Sequence, residues 1–436
     1  MLFLYGNTQK TGIFGAHKYA YTMDMLEEIL KLSGFTSIEI SRETTNFNIR
    51  AVKGEKRSPR VKLIISGQDS GGLGGAEFFL LNLANSIKES GVSVEFTTVN
   101  KSRFSTILLE NHFTSHTIPI RMDAIGNWKG LVKFIIFTPL TAIIDMMILY
   151  KFKEKGGTTI LIPGISDKAL LTPLAWLLGL STVWIEFAPL KPTFKRNFYF
   201  PKIIYKLVKN LPDLVITPTR RTQLSVLHDA WVTEPKTRIL PCGIKLPKSK
   251  VRPMHNSQFI IGNISRLQKE KGQDTLIKSL PIIRKRIPNA KLVLVGEGSY
   301  FNELHKLALK LKVEKHVEFK GFVENVQVIL SKFSVFAFPT RWEIEGFGLV
   351  PLEAMSAGIP VVASTHPPVP EVLGDSALFT HPDHKSFAEA IIKLAKNSDL
   401  QKTFISKGYK KVREYDIKQV AEKYIKELRN LETIKH

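Results

Sequence analysis

Glu345 and Glu353 are two carboxylates eight positions apart, with Gly346 and Gly348 between them in the stretch EGFGLVPLE. What they can do depends on the elements around them. Upstream, FSVFAFPT (Phe333 to Thr340) is apolar and bounded by Pro339, which predicts a buried strand. Downstream, the run from Pro351 to Ala357 predicts a helix, stopped by Gly358 with Pro360 behind it. Phe347 and Leu349 complete the connecting turn. A glycine turn between strand and helix offers unpaired backbone N–H groups and the positive end of a helix to an anion. GIPVVAS (Gly358 to Ser364) predicts another buried strand. The strand–turn–helix–strand unit predicts a phosphate-bearing ligand at the C-terminal edge of a parallel sheet. Glu345 falls in the turn and Glu353 inside the helix, a spacing that allows both to border one crevice.

Two further stretches supply matching chemistry. FIIGNISRL (Phe259 to Leu267) predicts a strand, and Arg266 and Lys271-Gly272 follow at its end. Arg offers phosphate oxygens a planar fork, and Lys a mobile point charge. Near the start, VKLIISG predicts a strand, QDSGGLGGAE (Gln68 to Glu77) a glycine-rich loop, and FFLLNLANSIKESG a helix ended by Gly91. Gly74 and Gly75 in that loop let backbone approach a ligand closely.

With these motifs in this order, residues 61 to 431 resemble the retaining glycosyltransferases of family 4. The motif of that family is a Glu, seven residues and a second Glu, with Gly-Phe-Gly after the first, and Glu345 to Glu353 match it in full. The resemblance implies an α/β chain of the GT-B fold, two Rossmann-like lobes with parallel sheets facing across a cleft. It implies transfer of a sugar from a nucleotide-sugar donor to a glycan or lipid-linked acceptor, with retention at the anomeric centre. Arg266 and Lys271 would grip the donor diphosphate, and Gly346, Phe347, Gly348 and Leu349 would face it. Glu345 would hold sugar hydroxyls and Glu353 the ribose. Phe322 and Val323 match the turn that borders the base. Gly74 and Gly75 would face the donor diphosphate and the acceptor. A nucleotide-sugar epimerase or hydrolase on the same fold is the alternative.

The sequence also departs from the family. In STVWIEFAPL (Ser181 to Leu190), where many members carry a histidine, this chain has Glu186. It is a candidate base or acceptor contact, or simply a polar residue at a strand end. Cys242 stands where the family has Asn in its linker. THPPVPEV places Pro368 where a glycine usually precedes Pro-Glu. No metal and no cofactor are expected, the nucleotide-sugar being a substrate. HFTSH (His112, His116) has helical i,i+4 spacing but no acid partner in a plausible helix, and HPDH (His381, His384) sits in a turn, so neither is expected to hold a metal.

The expected divisions are an extension at 1–57, a first lobe at 61–250 on the acceptor side, a second lobe at 255–415 that binds the nucleotide-sugar, and a final helix at 416–436 crossing back. In the extension, Tyr21 to Phe35 predicts an amphipathic helix stopped by Gly34. TSIEISRET and FNIRAVKG predict a hairpin-like pair of strands. This piece resembles the C-terminal tail of a class I SAM-dependent methyltransferase. The glycine-rich half that binds SAM lies upstream of such a tail, so an accessory segment is expected rather than methyl transfer. GEKRSPR is a charged linker, and Lys245 to Ser257 a hinge rich in Pro and Lys.

At 436 residues, the chain exceeds one ordinary core, and 44% hydrophobic residues exclude a disordered polymer. A single cysteine excludes an internal disulfide. The early residues lack a basic region followed by an apolar run, so no signal peptide is expected. A cytoplasmic location follows, with peripheral attachment to the inner membrane face as a further expectation. The formal charge of +23 points to nucleic acid, an anionic membrane surface or phosphorylated substrates. Zinc-finger spacing and RNA-binding aromatic motifs are absent from the sequence, so nucleic acid is not expected. Lys195 to Arg252 carries 13 basic residues against three acids, a local excess of +10. Leu131 to Tyr150 has membrane-like length, but Lys133, Pro139 and Asp145 argue against a span. It is expected either in the lobe's core or on a bilayer surface, together with the apolar Leu170 to Leu180.

Overall fold

The computed structural model describes residues 27, 30, 35–43, 46–53, 62–67, 74–99, 102–118, 128–153, 158–195, 199–247, 258–323 and 325–435. The chain divides into two units, Met1–Val61 and Lys62–His436. In the first, β1 (Phe35–Glu43) pairs antiparallel with β2 (Asn46–Lys53), the hairpin expected from the sequence. Most of the helix expected over Tyr21 to Phe35 lies outside the described residues, as do the linker Gly54 to Arg60, the loop Gln68 to Leu73 and most of the hinge.

The second unit holds two parallel sheets. One contains β3 (Lys62–Ser66), β4 (Ser93–Val99), β5 (Thr114–Ile118), β6 (Thr158–Ile162), β7 (Ser181–Ile185), β8 (Leu214–Thr217) and β9 (Thr237–Ile239), in the order β5-β4-β3-β6-β7-β8-β9. The other contains β10 (Phe259–Ile264), β11 (Ala290–Val295), β12 (Val317–Phe319), β13 (Val335–Phe338), β14 (Val361–Ser364) and β15 (Leu378–Thr380), in the order β12-β11-β10-β13-β14-β15. All pairings within both sheets are parallel. Each order reverses direction beside the sheet's first strand, where doubly wound folds open a crevice at the strands' C-terminal ends. Strands such as Leu63–Ile65 and Val361–Ala363 are buried on both faces, which is why they read as unbroken apolar runs rather than alternating ones.

Helices cover both sheets. In the first lobe these are α1 (Gly75–Glu89), α2 (Arg103–Glu110), α3 (Trp128–Lys153), α4 (Ile165–Leu178), α5 (Lys191–Phe194), α6 (Phe200–Val208) and α7 (Arg220–Asp229). In the second they are α8 (Gln273–Arg286), α9 (Phe301–Lys310), α10 (Val326–Leu330), α11 (Leu349–Ser356), α12 (Val369–Leu373), α13 (His384–Lys396) and α14 (Ser398–Val412). α15 (Ile417–Lys435) then packs on α1 of the first lobe. Ile244 N–H donates to the Tyr415 carbonyl at 2.8 Å, and Ile417 N–H donates back to Ile244 at 3.0 Å. The Tyr424 and Phe79 rings lie 6.2 Å apart. The two lobes are thus tied at the back by backbone hydrogen bonds as well as by apolar packing.

α3 runs unbroken through Pro139. The hydroxyls of Thr138 and Thr141 donate to the Phe134 and Phe137 carbonyls around that point. Core burial does not hold for the whole helix. One face packs into the lobe through Phe134, Thr141, Asp145, Leu149 and Phe152, and the other is exposed.

Candidate active site

The Glu345 turn follows β13 and leads into α11 at the C-terminal edge of the second sheet. α11 starts at Leu349, two residues before the expected Pro351, which a first-turn proline permits. Gly348 caps it with φ +85°, a left-handed conformation that only glycine adopts without strain. Glu345 is 7% exposed and Lys271, after β10, is 9% exposed. Lys271 Nζ donates to Glu345 Oε2 at 2.7 Å, and the Thr340 hydroxyl donates to the same oxygen at 3.0 Å. The structure therefore joins two residues 74 positions apart, the strand-end lysine and the first carboxylate.

Trp342 was not foreseen. Lys271 Nζ lies 4.2 Å and the Arg266 guanidinium 5.2 Å from its ring centroid, so one aromatic ring contacts both cations beyond the end of β10. Arg266 itself is exposed. The nearest sequence signal was the polar–aromatic triplet Thr340-Arg341-Trp342 directly after a buried strand. Arg341 braces the same edge through Asp274 Oδ1, at 2.6 Å.

Glu353 is half-buried on α11, and burial pushes its carboxyl up to about 7. An acid held above its ordinary value makes folding less favourable as pH rises. Below about pH 4.5 both states are protonated. Through the window up to about 7 only the unfolded chain has ionised, and above it the full cost is present. Glu353→Gln is expected to stabilise the protein at pH 8 by up to about 3 kcal/mol, the gain vanishing towards pH 4.5. Urea unfolding at the two pH values checks this. A variant no more stable than wild type at pH 8 contradicts it.

At the C-terminal ends of β10, β11 and β12 a cavity of about 260 Å³ is lined by Leu267, Gly296, Glu297, Gly298, Phe301, Phe319 and Gly321. Phe322 adjoins it, its N–H donating to Glu297 Oε1 at 3.4 Å, and Val323 follows, half-buried. Arg103, from α2 of the opposite lobe, stacks its guanidinium 4.3 Å from the Phe322 ring.

The two glycine turns meet across the lobes. A Cβ on Gly75 would touch Leu349 Cδ1 at 3.5 Å, and one on Gly346 would lie 1.6 Å from the Phe187 carbonyl oxygen. Gly74 N–H is held by Glu77 Oε2 at 2.9 Å. Phe347 is buried, its ring 5.4 Å from that of Tyr415. Arg221 on α7 also reaches the second lobe, donating to the carbonyls of Pro367 and, at 3.0 Å, Glu343. The Glu371 carboxylate accepts from the N–H groups of Arg220 and Arg221 that open α7. Glu371 and Arg221 were not singled out in the sequence.

Glu186 differs from a free base. It is 4% exposed, and its Oε1 accepts from Lys168 Nζ at 2.6 Å and from the Tyr205 hydroxyl at 2.8 Å. Burial lowers the Lys168 ammonium below its ordinary value, against the opposing pull of Glu186, and raises the Tyr205 phenol. Lys168 also donates to the Pro163 and Ile185 carbonyls, both at 3.0 Å. The carboxylate thus has two donors and anchors the exit of β7. His116 has an acid partner after all, Glu95 on the adjacent strand at 2.6 Å. Among the described residues no three His, Cys, Asp or Glu side chains gather as metal ligands.

Residues 247–411 match the family model "Glycosyl transferases group 1". The match covers most of the second lobe. The fold of the whole second unit is that of GT-B glycosyltransferases. Anabaena HepE, solved in complex with UDP-glucose, superposes with a TM-score of 0.69 at 20% identity, covering 84% of this chain and 99% of that one. An uncharacterized glycosyltransferase of Methanocaldococcus jannaschii is 26% identical over 287 residues, 56% of this chain and 70% of the relative. A GDP-mannose-dependent alpha-(1-6)-phosphatidylinositol monomannoside mannosyltransferase of Mycobacterium tuberculosis is 43% identical over 117 residues. That match spans 25% of this chain and 30% of the mannosyltransferase, so the chain aligns with under a third of that relative's length.

Proposed function

We propose that the chain is a retaining glycosyltransferase of family 4, moving a hexose from a nucleotide-sugar donor to a glycan or lipid-linked acceptor. The observation that carries this reading is the convergence of Arg266, Lys271, Glu345 and the Gly346–Gly348 turn at one sheet edge, inside a group 1 glycosyl transferase domain. As the donor bond breaks, negative charge builds on the leaving nucleotide diphosphate. Arg266, Lys271 and the N–H groups from Gly346 to Leu349 stabilise it electrostatically. Glu345 takes sugar hydroxyls. Glu353, in its ionised form, takes ribose hydroxyls, and Phe322 and Val323 border the base beside the Glu297 cavity. The acceptor sits on the first lobe, near Gly74 and Gly75. Glu186, locked between Lys168 and Tyr205, positions the strand exit there and does not move a proton.

Incubation with GDP-mannose and with UDP-glucose, the donors named for two of the proteins above, tests the reading. Proton NMR of the product then gives the anomeric configuration. Transfer with retention is expected. An inverted product removes the family assignment, and release of free sugar at the same rate with and without acceptor favours a hydrolase.

Phosphate is handled here by cations and a helix terminus, so turnover is expected to need no metal ion. Activity unchanged in EDTA is the expected result. Activity abolished by EDTA and restored by magnesium or manganese would contradict it.

A further inference from the structure

Helix α3 is apolar over most of its surface, and much of that apolar surface is exposed. Its exposed face carries Val132, Ile136, Leu140, Ile143, Met147 and Tyr150, spaced three and four apart as one stripe. Ile136, Ile143 and Met147 are 63%, 61% and 62% exposed. The polar residues Thr141 and Asp145 face inward instead, at 0% and 2%. A helix facing only water would place these residues the other way round.

The stripe is not isolated. α4 packs against both α3 and α6, and the Phe134 and Phe200 rings meet edge to face at 6.2 Å. Along this surface α4 adds exposed Trp176 and Leu177, and α6 adds Ile203 and Leu207, the last 77% exposed. Exposed apolar area on this scale marks an interaction surface. The charge around it has one sign. Lys129, Lys133, Lys151 and Lys153 are exposed on α3, whose single acid, Asp145, is buried. α6 carries Lys202 and Lys206 and no acid. Lys202 and Lys209 lie 5.0 and 5.9 Å from the ring of exposed Trp231.

We infer that α3, α4 and α6 form a docking surface for an anionic lipid bilayer, with α3 lying in the plane of the interface. Apolar side chains flanked by lysines and aromatic rings fit the boundary between acyl chains and acidic headgroups. A transmembrane placement of α3 would strip its inner face, with Thr141 and Asp145, from the lobe it packs against. Pairing of two copies through this face would oppose lysines to lysines with no exposed acid on α3 or α6 to offset them.

Flotation of the full chain with phosphatidylcholine vesicles, with and without phosphatidylglycerol, tests this at low and high salt. Binding to the phosphatidylglycerol vesicles at low salt, weakened by salt and weak on the neutral ones, is expected. Ile136→Glu with Ile143→Glu, and separately Lys202→Glu with Lys206→Glu, should each lower partitioning about tenfold or more. These positions are exposed or half-buried, so the melting temperature and nucleotide affinity should stay at wild-type values. Quenching of tryptophan fluorescence by brominated lipid, reduced in Trp176→Phe, reads the same contact without a charge change. Three outcomes overturn the proposal. One is absence of binding to phosphatidylglycerol vesicles at low salt. Another is binding that is indifferent to headgroup and resists salt, which indicates insertion. The third is a dimer by light scattering that the Ile136 and Ile143 variant breaks, which assigns the face to a second copy.

Discussion

Lys271→Ala and Arg266→Ala should each cost about 2–4 kcal/mol of transition-state stabilisation, the loss typical of one preorganised donor to a developing anion. The two variants should differ in stability. Arg266 is exposed, and its removal should change folding free energy by no more than a typical surface substitution, about 0.5 kcal/mol. Lys271 is buried against Glu345 at 2.7 Å. Taking it away leaves a buried carboxylate with the Thr340 hydroxyl donating to it at 3.0 Å, and an orphaned buried charge costs about 3–5 kcal/mol. Steady-state kinetics with the cognate donor and thermal melts of both variants decide the matter. Activity within about twofold of wild type in both would remove the diphosphate assignment, given the magnitude expected for such donors.

Gly346→Ala should reduce kcat about 100-fold, the penalty for displacing reacting groups by roughly an ångström. The added Cβ would stand 1.6 Å from the Phe187 carbonyl oxygen of the opposite lobe. No backbone oxygen can yield that far locally, so the lobes must part. Parting them also disturbs the hydrogen bonds from Arg221 to Glu343 and from α7 to Glu371. If, as proposed, the second lobe holds most of the nucleotide, its affinity should fall far less than kcat. Kinetics beside calorimetric titration of the nucleoside diphosphate separate the two effects. A variant with wild-type kcat would show that the Gly346–Phe187 approach plays no part in turnover.

Much of the sheet edge around Glu345 was legible in the sequence. Its elements are local: a buried strand, a glycine turn and a helix, each announced by apolar runs and by Gly and Pro within a few residues. Strands β10, β13 and β14 and the start of α11 fall within a few residues of their expected places for that reason. The sequence also carried the length of α3, because an apolar run needs no partner to be noticed.

Tertiary structure decided whatever depends on which residues meet. Lys271 and Glu345 are far apart in the chain, and only the parallel pairing of β10 with β13 brings their strand ends to one edge. Trp342 gains its meaning from the two cations stacked on it, and Arg221 from carbonyls 122 and 146 positions away. Glu186 read as a candidate base, an acceptor contact or a polar strand end because the residues that donate to it, Lys168 and Tyr205, come from two different helices. The direction α3 faces was likewise undetermined. Hydropathy records how apolar a helix is, whereas packing decides which side meets the protein, and here the lobe took Thr141 and Asp145 and left the isoleucines outside.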